Sequence, residues 1–236
     1  MSKQPVVDIK RLAVVDIETV GVTGTFADLS ERQPRLAAKW LERAKWLKER
    51  YKDTNGSMST DDLWQHKAGL HSEYGKVICV SFGVFGDDGE KKVHSYYGDD
   101  EAEVLTKTAT ALERIDEKKR ILAGHTIERF DIPFLWKRML INRISPPGII
   151  NTWGKKPWDL NYFDLAKFWS GGAWQESFTS LDTLSAIFGV KSPKEDVKGS
   201  GVHGLYWHNA GLESIKTYCE GDIVATMNVI QILADI

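Results

Sequence analysis

The sequence predicts an α/β fold in which helices flank a mixed β-sheet. Two patterns carry this prediction: three strand-like segments come early in the chain, and helical and strand-like segments alternate after them. The length agrees with it, because 236 residues suffice for one α/β domain with additional elements around its core. We therefore expect a single domain over residues 1–236, with a helical insertion after the first strand at about residues 31–52.

The N-terminal segments predict a buried strand followed by this insertion. The apolar run at residues 12–15 consists of branched and aliphatic residues, which is typical of a central strand. Residues 21–30 are predicted to be a loop. Residues 31–51 are amphipathic and rich in charge, which predicts a helix with a break near Gln33 and Pro34.

The second and third strands are predicted to form a hairpin. Residues 76–85 are apolar and rich in branched side chains, and the turn sequence Gly-Asp-Asp-Gly at 86–89 links them to residues 92–97. Residues 102–116 then predict a helix, and the short apolar run that ends at Ala123 predicts a further strand.

The C-terminal half predicts shorter elements. The sequence Pro-Pro-Gly at 146–148 interrupts the chain before a predicted short strand at 149–150. Residues 181–188 predict a helix that ends at Gly189, since glycine is common directly after a helix. Residues 191–204 predict a polar loop.

Asp16 and Glu18 follow the first apolar run and are the most informative residues of the chain. Side chains two apart in a strand point to the same face, so both carboxylates emerge side by side from a hydrophobic platform. Two such anions in a partly dry site repel each other unless a cation binds them. Hard oxygen ligands favour Mg²⁺ or Mn²⁺. The alternative is a surface strand end with two solvated acids, and this motif alone does not decide between the two.

Tyr218 and Asp222 lie in a predicted last helix over residues 213–233, where apolar residues recur at helical spacing. They are four residues apart and are therefore neighbours on the helix. Asp222 lies between the apolar residues Cys219 and Ile223, an unfavourable place for a charge unless something binds it. The alternative is an exposed Asp at the helix edge with the Tyr packed beside it.

Asp131 opens a third candidate segment. Together with Pro133 it predicts a helix start after the break at Gly124, because Asp suits the capping position and Pro is tolerated in the first turn. A plain N-cap is the structural alternative to a functional role. A capping carboxylate can also face a cleft, so the two roles are compatible.

These three segments together resemble the motifs of the DEDD superfamily of 3′–5′ exonucleases, in its tyrosine subtype. Motif one appears as Val15-Asp-Ile-Glu-Thr19, motif two as Gly124-His-Thr-Ile-Glu-Arg-Phe-Asp131, and motif three as Tyr218-Cys-Glu-Gly-Asp222. The histidine subtype has its key residue five positions before the last Asp, and that position is Thr217 here. The motifs look most like those in the exonuclease domain of family B DNA polymerases and in stand-alone predicted exonucleases related to it. Their joint occurrence in the right order is a specific signal.

The resemblance implies a ribonuclease H-like fold with a mixed five-stranded sheet, and a single exonuclease domain. It implies hydrolysis of phosphodiester bonds at DNA 3′ ends, expected to be single-stranded, with release of nucleoside monophosphates. An exoribonuclease acting on RNA is the alternative. Because the chain has no room for a polymerase of its own, we expect replication or repair proteins as partners, in editing in trans, repair, recombination or phage-type replication.

By resemblance, four carboxylates hold two divalent cations, Mg²⁺ or Mn²⁺: Asp16, Glu18, Asp131 and Asp222. Asp16 would bridge both ions, and Asp131 would hold the second one. Glu18 and Asp222 would complete the shell of the ion that activates water. Two ions about 3.5–4 Å apart activate the water, neutralise the phosphate oxygens and support the departing oxygen. Tyr218 would orient the attacking water by hydrogen bonding, since an unperturbed phenol with a pKa of about 10 stays protonated near neutrality.

Substrate contacts are expected from residues in motifs one and two: Thr19, His125, Thr126 and Phe130. One of them departs from the family, which usually has Asn where this chain has Thr126. In the family that Asn helps to hold substrate, so the contact is expected to be weaker or differently made. Two further acids, Asp164 and Asp182, are expected to be helix or turn caps outside the metal shell.

Composition and charge fit a nucleic-acid enzyme without identifying one. The net charge of -2 gives no overall attraction to nucleic acid, but a local basic rim is sufficient. Cys79 and Cys219 are expected to be reduced core residues in a reducing compartment. With no apolar signal stretch and no run of membrane-spanning length, the expected location is cytoplasmic. The sequence has no Cys or His pairs at ligand spacing, which disfavours a structural zinc site. It also has no Gly-x-Ser-x-Gly motif and no P-loop motif, which disfavours serine hydrolases and P-loop nucleotide hydrolases respectively.

Residues 35–52 have two interpretations. Seven Lys or Arg residues are interleaved with Trp40 and Trp46, which suits binding of a phosphate backbone and stacking of bases. The same residues also form an ordinary buried stripe with solvated Lys and Arg opposite it. The sequence does not decide whether this basic helix contacts substrate.

A function of a different class is a catalytically silent nucleic-acid-binding module on the same fold. The intact acidic set argues against it, since a silent module has no need for four converging carboxylates. A third class is a structural domain that recruits a polymerase or a helicase through surfaces that the sequence does not identify.

Overall fold

The structure, a computed structural model, describes residues 7–52, 56–156, 160–171, 179–191 and 201–235. Five strands form one sheet: β1 (Leu12–Gly21), β2 (Gly75–Phe85), β3 (Lys91–Tyr97), β4 (Ile121–Gly124) and β5 (Tyr162–Asp164). Their order across the sheet is β3-β2-β1-β4-β5. β1, β2 and β3 pair antiparallel, whereas β4 and β5 run parallel to β1. The predicted mixed five-stranded α/β sheet is therefore confirmed.

Helices cover both faces of this sheet, and further helices pack together after the end of β1. In chain order they are α1 (Phe26–Arg32), α2 (Pro34–Arg50), α3 (Thr60–Lys67), α4 (Glu101–Glu117), α5 (Asp131–Ile141), α6 (Leu165–Trp169), α7 (Leu181–Phe188), α8 (Val202–Asn209) and α9 (Leu212–Ala234). Short 3₁₀ turns occur at Ile9–Arg11, Ala68–Leu70 and Gly148–Ile150. None of the described helices combines enough length and apolarity to cross a bilayer.

β1 is the central strand, and its side chains alternate between two hydrophobic cores. The odd-numbered side chains of residues 13–17 pack with α4 and α5. Leu12 and Val14 pack instead with α7 and α9. Because successive side chains of a strand point to opposite faces, Asp16 and Glu18 continue the even-numbered series and lie on the α9 side. The apolar run thus positions both acids toward the last helix.

The segment between β1 and β2 has a small core of its own. Trp40 of α2 and Trp64 of α3 are fully buried there, with ring centroids 5.1 Å apart. The Trp64 Nε1–H donates to the carbonyl oxygen of Thr23 (2.9 Å), and the Thr19 hydroxyl donates to the carbonyl oxygen of Gly69 (2.7 Å). These bonds fix the insertion to the end of β1.

Most predicted elements are confirmed with small changes in their bounds. The β2–β3 hairpin, α4 and the long α9 appear where the sequence predicts them. The predicted helix in the insertion is interrupted at Gln33, since Pro34 begins α2. α7 ends at Gly189, which adopts a left-handed conformation (φ 64°) that glycine accommodates without strain.

Two features of the insertion differ from the prediction. Residues 21–30 are not a loop throughout, because α1 begins at Phe26. The Thr25 hydroxyl caps this helix by accepting the N–H of Asp28. α3 is not predicted, although its N-cap Ser59 completes a capping box that marks a helix start in sequence.

Two predictions in the C-terminal half are wrong. Residues 149–150 belong to a 3₁₀ turn, and the short parallel strand is β5. The predicted loop at 191–204 is helical from Val202 onward, where α8 begins. Its residues 192–200 lie outside the described part of the chain. A polar, glycine-containing segment is weak evidence for a loop when tertiary packing buries part of it, as it does for Val202.

Candidate active site

Three carboxylates converge where α9 crosses β1. Asp16 and Glu18 lie on β1, and Asp222 lies on α9. One oxygen from each of the three lies within 4.8 Å of the other two. Within the described ranges, no second group of three His, Cys, Asp or Glu side chains meets this spacing. All three side chains are partly buried.

The backbone explains why these acids meet. The register between β1 and β2 shifts directly after Glu18, which is a local irregularity of the kind that re-aims side chains. On β2, Gly83 lets α9 approach closely, since an added Cβ would lie 2.5 Å from Ile223 Cγ2 and 2.6 Å from Met227 Sδ. This close packing of α9 holds Asp222 over the central strand.

Asp131 lies beside this group but not within it. Its Oδ1 accepts the backbone N–H of Ile17 (3.1 Å), the residue between the two acids of β1. Its side chain is buried, with 3% of its surface exposed. Phe130 occupies the N-cap position of α5 and Asp131 is the first residue of the helix, so the predicted capping role is wrong. The carboxylate instead ties the start of α5 to β1.

Burial and mutual repulsion raise the pKa of these acids. Burial is the largest cause for Asp16, whose pKa lies well above its usual range, and the charges of Asp131, Asp222 and Glu18 add to it. Burial followed by the charge of Asp222 likewise raises the pKa of Glu18. Burial raises the pKa of Asp131 to about 7, assisted by Asp164 and Asp222 and opposed by backbone N–H groups. A cation among these oxygens would favour their ionised forms.

The donor set fits a hard divalent cation. Carboxylate oxygens are the ligands that Mg²⁺ and Mn²⁺ prefer, and the three oxygens of Asp16, Glu18 and Asp222 are close enough to share one ion. Without a cation it is unfavourable for these close, buried carboxyl groups to be ionised at the same time, as their raised pKa values show. The cluster can therefore bind metal, and its composition does not distinguish between the two ions.

Tyr218 lies one helix turn before Asp222 on α9 and is 8% exposed. Its hydroxyl forms a hydrogen bond with Asp222. Burial, and then the charges of Asp222, Glu18 and Asp16, raise the pKa of the phenol well above its ordinary value. The hydroxyl therefore stays protonated at neutral pH, and it can donate a hydrogen bond but cannot serve as a base.

Two cysteines lie against the acids, a placement that is not predicted from the sequence. The Cys219 thiol donates to Asp16 Oδ2 (3.3 Å), which opposes the rise in the pKa of that carboxyl. Cys219 and Cys79 also form a hydrogen bond with each other, and both are buried free thiols, as expected for core residues. A signal was present, because Cys219 precedes Asp222 by three residues and so lies near it on the helix surface.

Asp164 holds the loop that leads to Asp131. Its carboxylate is 6% exposed, and pairing of β5 with β4 places it beside this loop. It accepts four backbone N–H groups, those of Thr126, Glu128, Ala166 and Lys167. The last two confirm the predicted cap, in this case of α6. The first two are a second role that depends on the sheet and has no local signal.

The predicted substrate contacts of motif two lie in this loop and are already engaged. The His125 Nε2 bonds with the carbonyl oxygen of Thr179 (2.9 Å), and its Nδ1 bonds with the Thr126 hydroxyl (3.2 Å). Thr126 adopts a left-handed backbone conformation (φ 70°), which is strained for a β-branched residue. Phe130 packs on Phe134, with ring centroids 5.3 Å apart. Substrate contact by these residues stays a prediction.

Thr19, the predicted contact of motif one, is partly buried at the end of β1. Its hydroxyl donates to Gly69, so its side chain anchors the insertion. A substrate contact of Thr19 also stays a prediction.

Comparison with known proteins gives a family and a fold. A family model described as the RNase H superfamily matches residues 67–234. No match is found among curated proteins. Among solved structures, the chain is similar to the family B DNA polymerase from the hyperthermophilic archaeon Pyrobaculum calidifontis, with a TM-score of 0.53 and 16% identity. The similar region covers 94% of this chain and 24% of the polymerase chain, so it spans about a quarter of that protein. At this identity the likeness shows the fold alone.

Proposed function

The chain belongs to the RNase H superfamily, and on this premise we propose that it is a metal-dependent 3′–5′ exonuclease of the tyrosine DEDD subtype. Membership of the superfamily indicates a nuclease whose substrate is a nucleic acid. The observation that carries the finer assignment is the convergence of Asp16, Glu18 and Asp222, with oxygens within 4.8 Å of one another, beside a buried tyrosine. Motifs one and three, which are distant in sequence, thus supply side chains to one place, and Asp131 of motif two lies beside them, bonded to Ile17.

The carboxylates would hold two divalent cations, Mg²⁺ or Mn²⁺. We assign Asp16, Glu18 and Asp222 to one of them, and Asp131 with Asp16 to the other. When bound, the cations would activate water, neutralise the charge on the phosphate and support the departing 3′ oxygen. The carboxylates are held for this by β1, by α9 and by the bond from Ile17 to Asp131, so little reorganisation is needed.

Tyr218 would act on the attacking water. Its raised pKa keeps the hydroxyl protonated, and the bond with Asp222 holds the hydroxyl at the acidic cluster. Since its one proton is donated to Asp222, its oxygen can accept a hydrogen bond from the attacking water and so fix the direction of attack. We therefore assign Tyr218 an orienting role and not proton abstraction.

The substrate we propose is the 3′ end of single-stranded DNA, with nucleoside monophosphates as products. The support is the motif pattern itself, since Asp-Ile-Glu-Thr at 16–19 and Phe-Asp-Ile-Pro at 130–133 resemble the polymerase-type exonuclease domain. We treat residues 1–236 as one exonuclease domain, and we propose replication or repair proteins as its partners. Thr19, His125, Thr126 and Phe130 remain the proposed substrate contacts.

Direction and substrate can be tested with labelled strands. With Mg²⁺ or Mn²⁺, a 5′-labelled single strand should shorten stepwise, a 3′-labelled one should release labelled mononucleotide at once, and a circular strand should resist. A chelator should stop all digestion. A matched RNA strand should be digested more slowly, and faster digestion of RNA would assign an exoribonuclease. Cutting of the circle, or binding without shortening under either metal, would contradict the proposal.

The acids are tested by Asp16→Asn, which keeps the size of the side chain and removes its charge. Activity should fall by at least about 1,000-fold, as expected when a group that stabilises the transition state is lost. The matched control is Asp116→Asn, an exposed acid on α4, which should retain activity. Retained turnover in Asp16→Asn would exclude the metal assignment.

Tyr218→Phe separates orientation from binding. It removes one hydroxyl beside Asp222 and leaves the ring in place, so kcat should fall by about 100-fold with KM nearly unchanged. An unchanged kcat would remove Tyr218 from the mechanism.

A further inference from the structure

α2 presents a basic and aromatic face that the candidate active site does not use. The opposite side of the helix packs into the insertion core through four buried residues: Ala37, Trp40, Ala44 and Leu47. Trp46 does not belong to this stripe and is 41% exposed. Tyr51, directly after the helix, is 48% exposed. The buried stripe and the exposed face therefore exist together, and the first does not explain the second.

The exposed rings form one surface with two arginines, and we call Arg43, Trp46, Arg50 and Tyr51 the Trp46 surface. The Arg43 guanidinium lies 4.4 Å from the Trp46 ring centroid, and that of Arg50 lies 5.5 Å from it. Arg50 is also 5.9 Å from the centroid of Tyr51, whose ring lies 6.1 Å from that of Trp46. Exposed cation–π contacts contribute only about 0.5–1 kcal/mol, so a ligand with better contacts can replace them.

Charge is concentrated on the same helix. α2 contains six basic and two acidic residues and thus carries a net charge of +4, whereas the whole chain carries -2. One of the two acids, Glu42, is paired with Lys39 (2.9 Å). Outside α2 the chain is therefore acidic. A local basic patch of this kind is the electrostatic footprint of a polyanion-binding surface.

The helix that carries the Trp46 surface is joined by buried contacts to the strand that carries the acids. The opposite side of α2 contacts α3 through Trp40 and Trp64, whose ring centroids are 5.1 Å apart. Trp64 donates to the carbonyl oxygen of Thr23, just beyond β1. The insertion and β1 are thus joined by buried contacts, so a strand bound at both places would meet them at a constant separation.

We propose that the Trp46 surface binds the single strand of nucleic acid upstream of the 3′ end that enters the acidic cluster. This proposal rests on the proposed exonuclease function and names a second, non-catalytic contact for the same substrate. Bases stack on Trp46 and Tyr51, and Arg43 and Arg50 contact phosphates. This combination of aromatic faces with cations is how proteins bind single strands without reading their sequence, and each stacked base contributes about 1–3 kcal/mol. Longer strands consequently bind more tightly than short ones.

The test compares strands that can and cannot reach α2. Binding of fluorescent single strands of about 20 and about 4 nucleotides is measured by anisotropy in the presence of a chelator, which prevents digestion. Arg43→Ala combined with Trp46→Ala should weaken binding of the long strand at least about tenfold and leave the short strand unchanged. Trp46→Phe, which keeps an aromatic face, should retain most of the affinity. In the double variant, the salt dependence of long-strand binding should also become shallower, because the phosphate contact of Arg43 is lost.

The matched control is Leu41→Ala, another exposed apolar residue of α2 (49% exposed) outside the Trp46 surface. It should not change binding of either strand. With metal present, the double variant should digest the short strand at the wild-type rate and raise KM only for the long one.

Two results would overturn the proposal while leaving the exonuclease function intact: unchanged affinity of the double variant for the long strand, or equal affinity of the wild type for polyglutamate of matched charge. The second result would assign the surface to an acidic protein. If the wild type neither binds nor digests any strand, the proposed function fails first and this inference fails with it.

Discussion

Asp131→Asn is predicted to change the stability of the metal-free protein in a way that depends on pH. Relative to wild type, the free energy of unfolding of the variant should be higher at pH 8 than at pH 5. Asn has nearly the same shape, and its carbonyl oxygen can still accept the N–H of Ile17 that now bonds to Oδ1 of Asp131. The substitution therefore removes the charge and keeps the contact. Any cost of the amide itself does not depend on pH, so it cancels when the difference between variant and wild type is compared at the two pH values.

The magnitude follows from the pKa of Asp131. Burial raises this pKa from 3.8 to about 7. Between these two values the unfolded chain has lost a proton that the native state still holds, so native stability falls as the pH rises through this window. Above about pH 7 the full penalty is present. At about 1.36 kcal/mol per pKa unit the full penalty, counted from low pH, amounts to about 4 kcal/mol. At pH 5 the unfolded carboxyl is already past its pKa, so the stability of the variant relative to wild type should rise by about 3 kcal/mol between pH 5 and pH 8.

The free energy of unfolding is measured by denaturant titration with a chelator present, at pH 5 and pH 8, for wild type, Asp131→Asn and Asp116→Asn. The exposed control should track the wild type at both pH values. Added Mg²⁺ or Mn²⁺ should stabilise the wild type more than Asp131→Asn, because a cation that binds only the native state stabilises it by an amount that rises with the logarithm of its affinity. A difference between Asp131→Asn and wild type that stays constant or shrinks from pH 5 to pH 8 would refute the reasoning.

Three further predictions concern the packing around the site. Gly83→Ala should destabilise the protein by about 1–3 kcal/mol, because its Cβ would overlap the side chains of α9. The control Gly98→Ala meets only an ordinary contact at 3.7 Å, so its thermal unfolding should be nearly that of the wild type. Glu101→Ala should lower the free energy of unfolding by about 3–5 kcal/mol, because it leaves Arg138 as an unpaired buried charge. The Glu101 carboxylate now accepts from Arg138 Nε (2.8 Å) and Nη2 (2.5 Å). A loss below about 1 kcal/mol in denaturant titration would show that the pair is not needed. Thr126→Asn should raise the melting temperature, because Asn tolerates the left-handed conformation (φ 70°) better than Thr by about 1 kcal/mol. A lowered melting temperature would mean that the bond of the Thr126 hydroxyl to the His125 imidazole stabilises the protein by more than this strain costs.

Sequence patterns predict the parts of the site that depend on local periodicity. The alternation along β1 places Asp16 and Glu18 on one face, and the helical spacing of α9 places Tyr218 beside Asp222. The order of the three motifs led to the RNase H-like sheet, which the strand order and the family match confirm. The first two inferences need only residues that are near one another in the chain, whereas the third needs the order of the motifs along it.

Other features of the site could not be predicted because their partners are distant in sequence. Asp131 was expected to cap its own helix, but its carboxylate bonds to Ile17, 114 residues away. Asp164 was expected to be a local cap, and it also holds the loop at Thr126 because β5 pairs with β4. Local rules correctly identified polar groups that need partners and could not identify which partners they have.

The amino-acid pattern by itself determined which acids can share a strand face or a helix face, and hence which carboxylates could be offered to one cation. Only the tertiary structure decided that these faces meet. The contact of Cys219 with Asp16 joins residues 203 positions apart, and it exists because Gly83 leaves room for α9 against the sheet. Burial at this junction also raises the pKa values of Asp16, Glu18 and Asp131. The physical reason is that repulsion and desolvation depend on distance and solvent exposure, which no short stretch of sequence specifies.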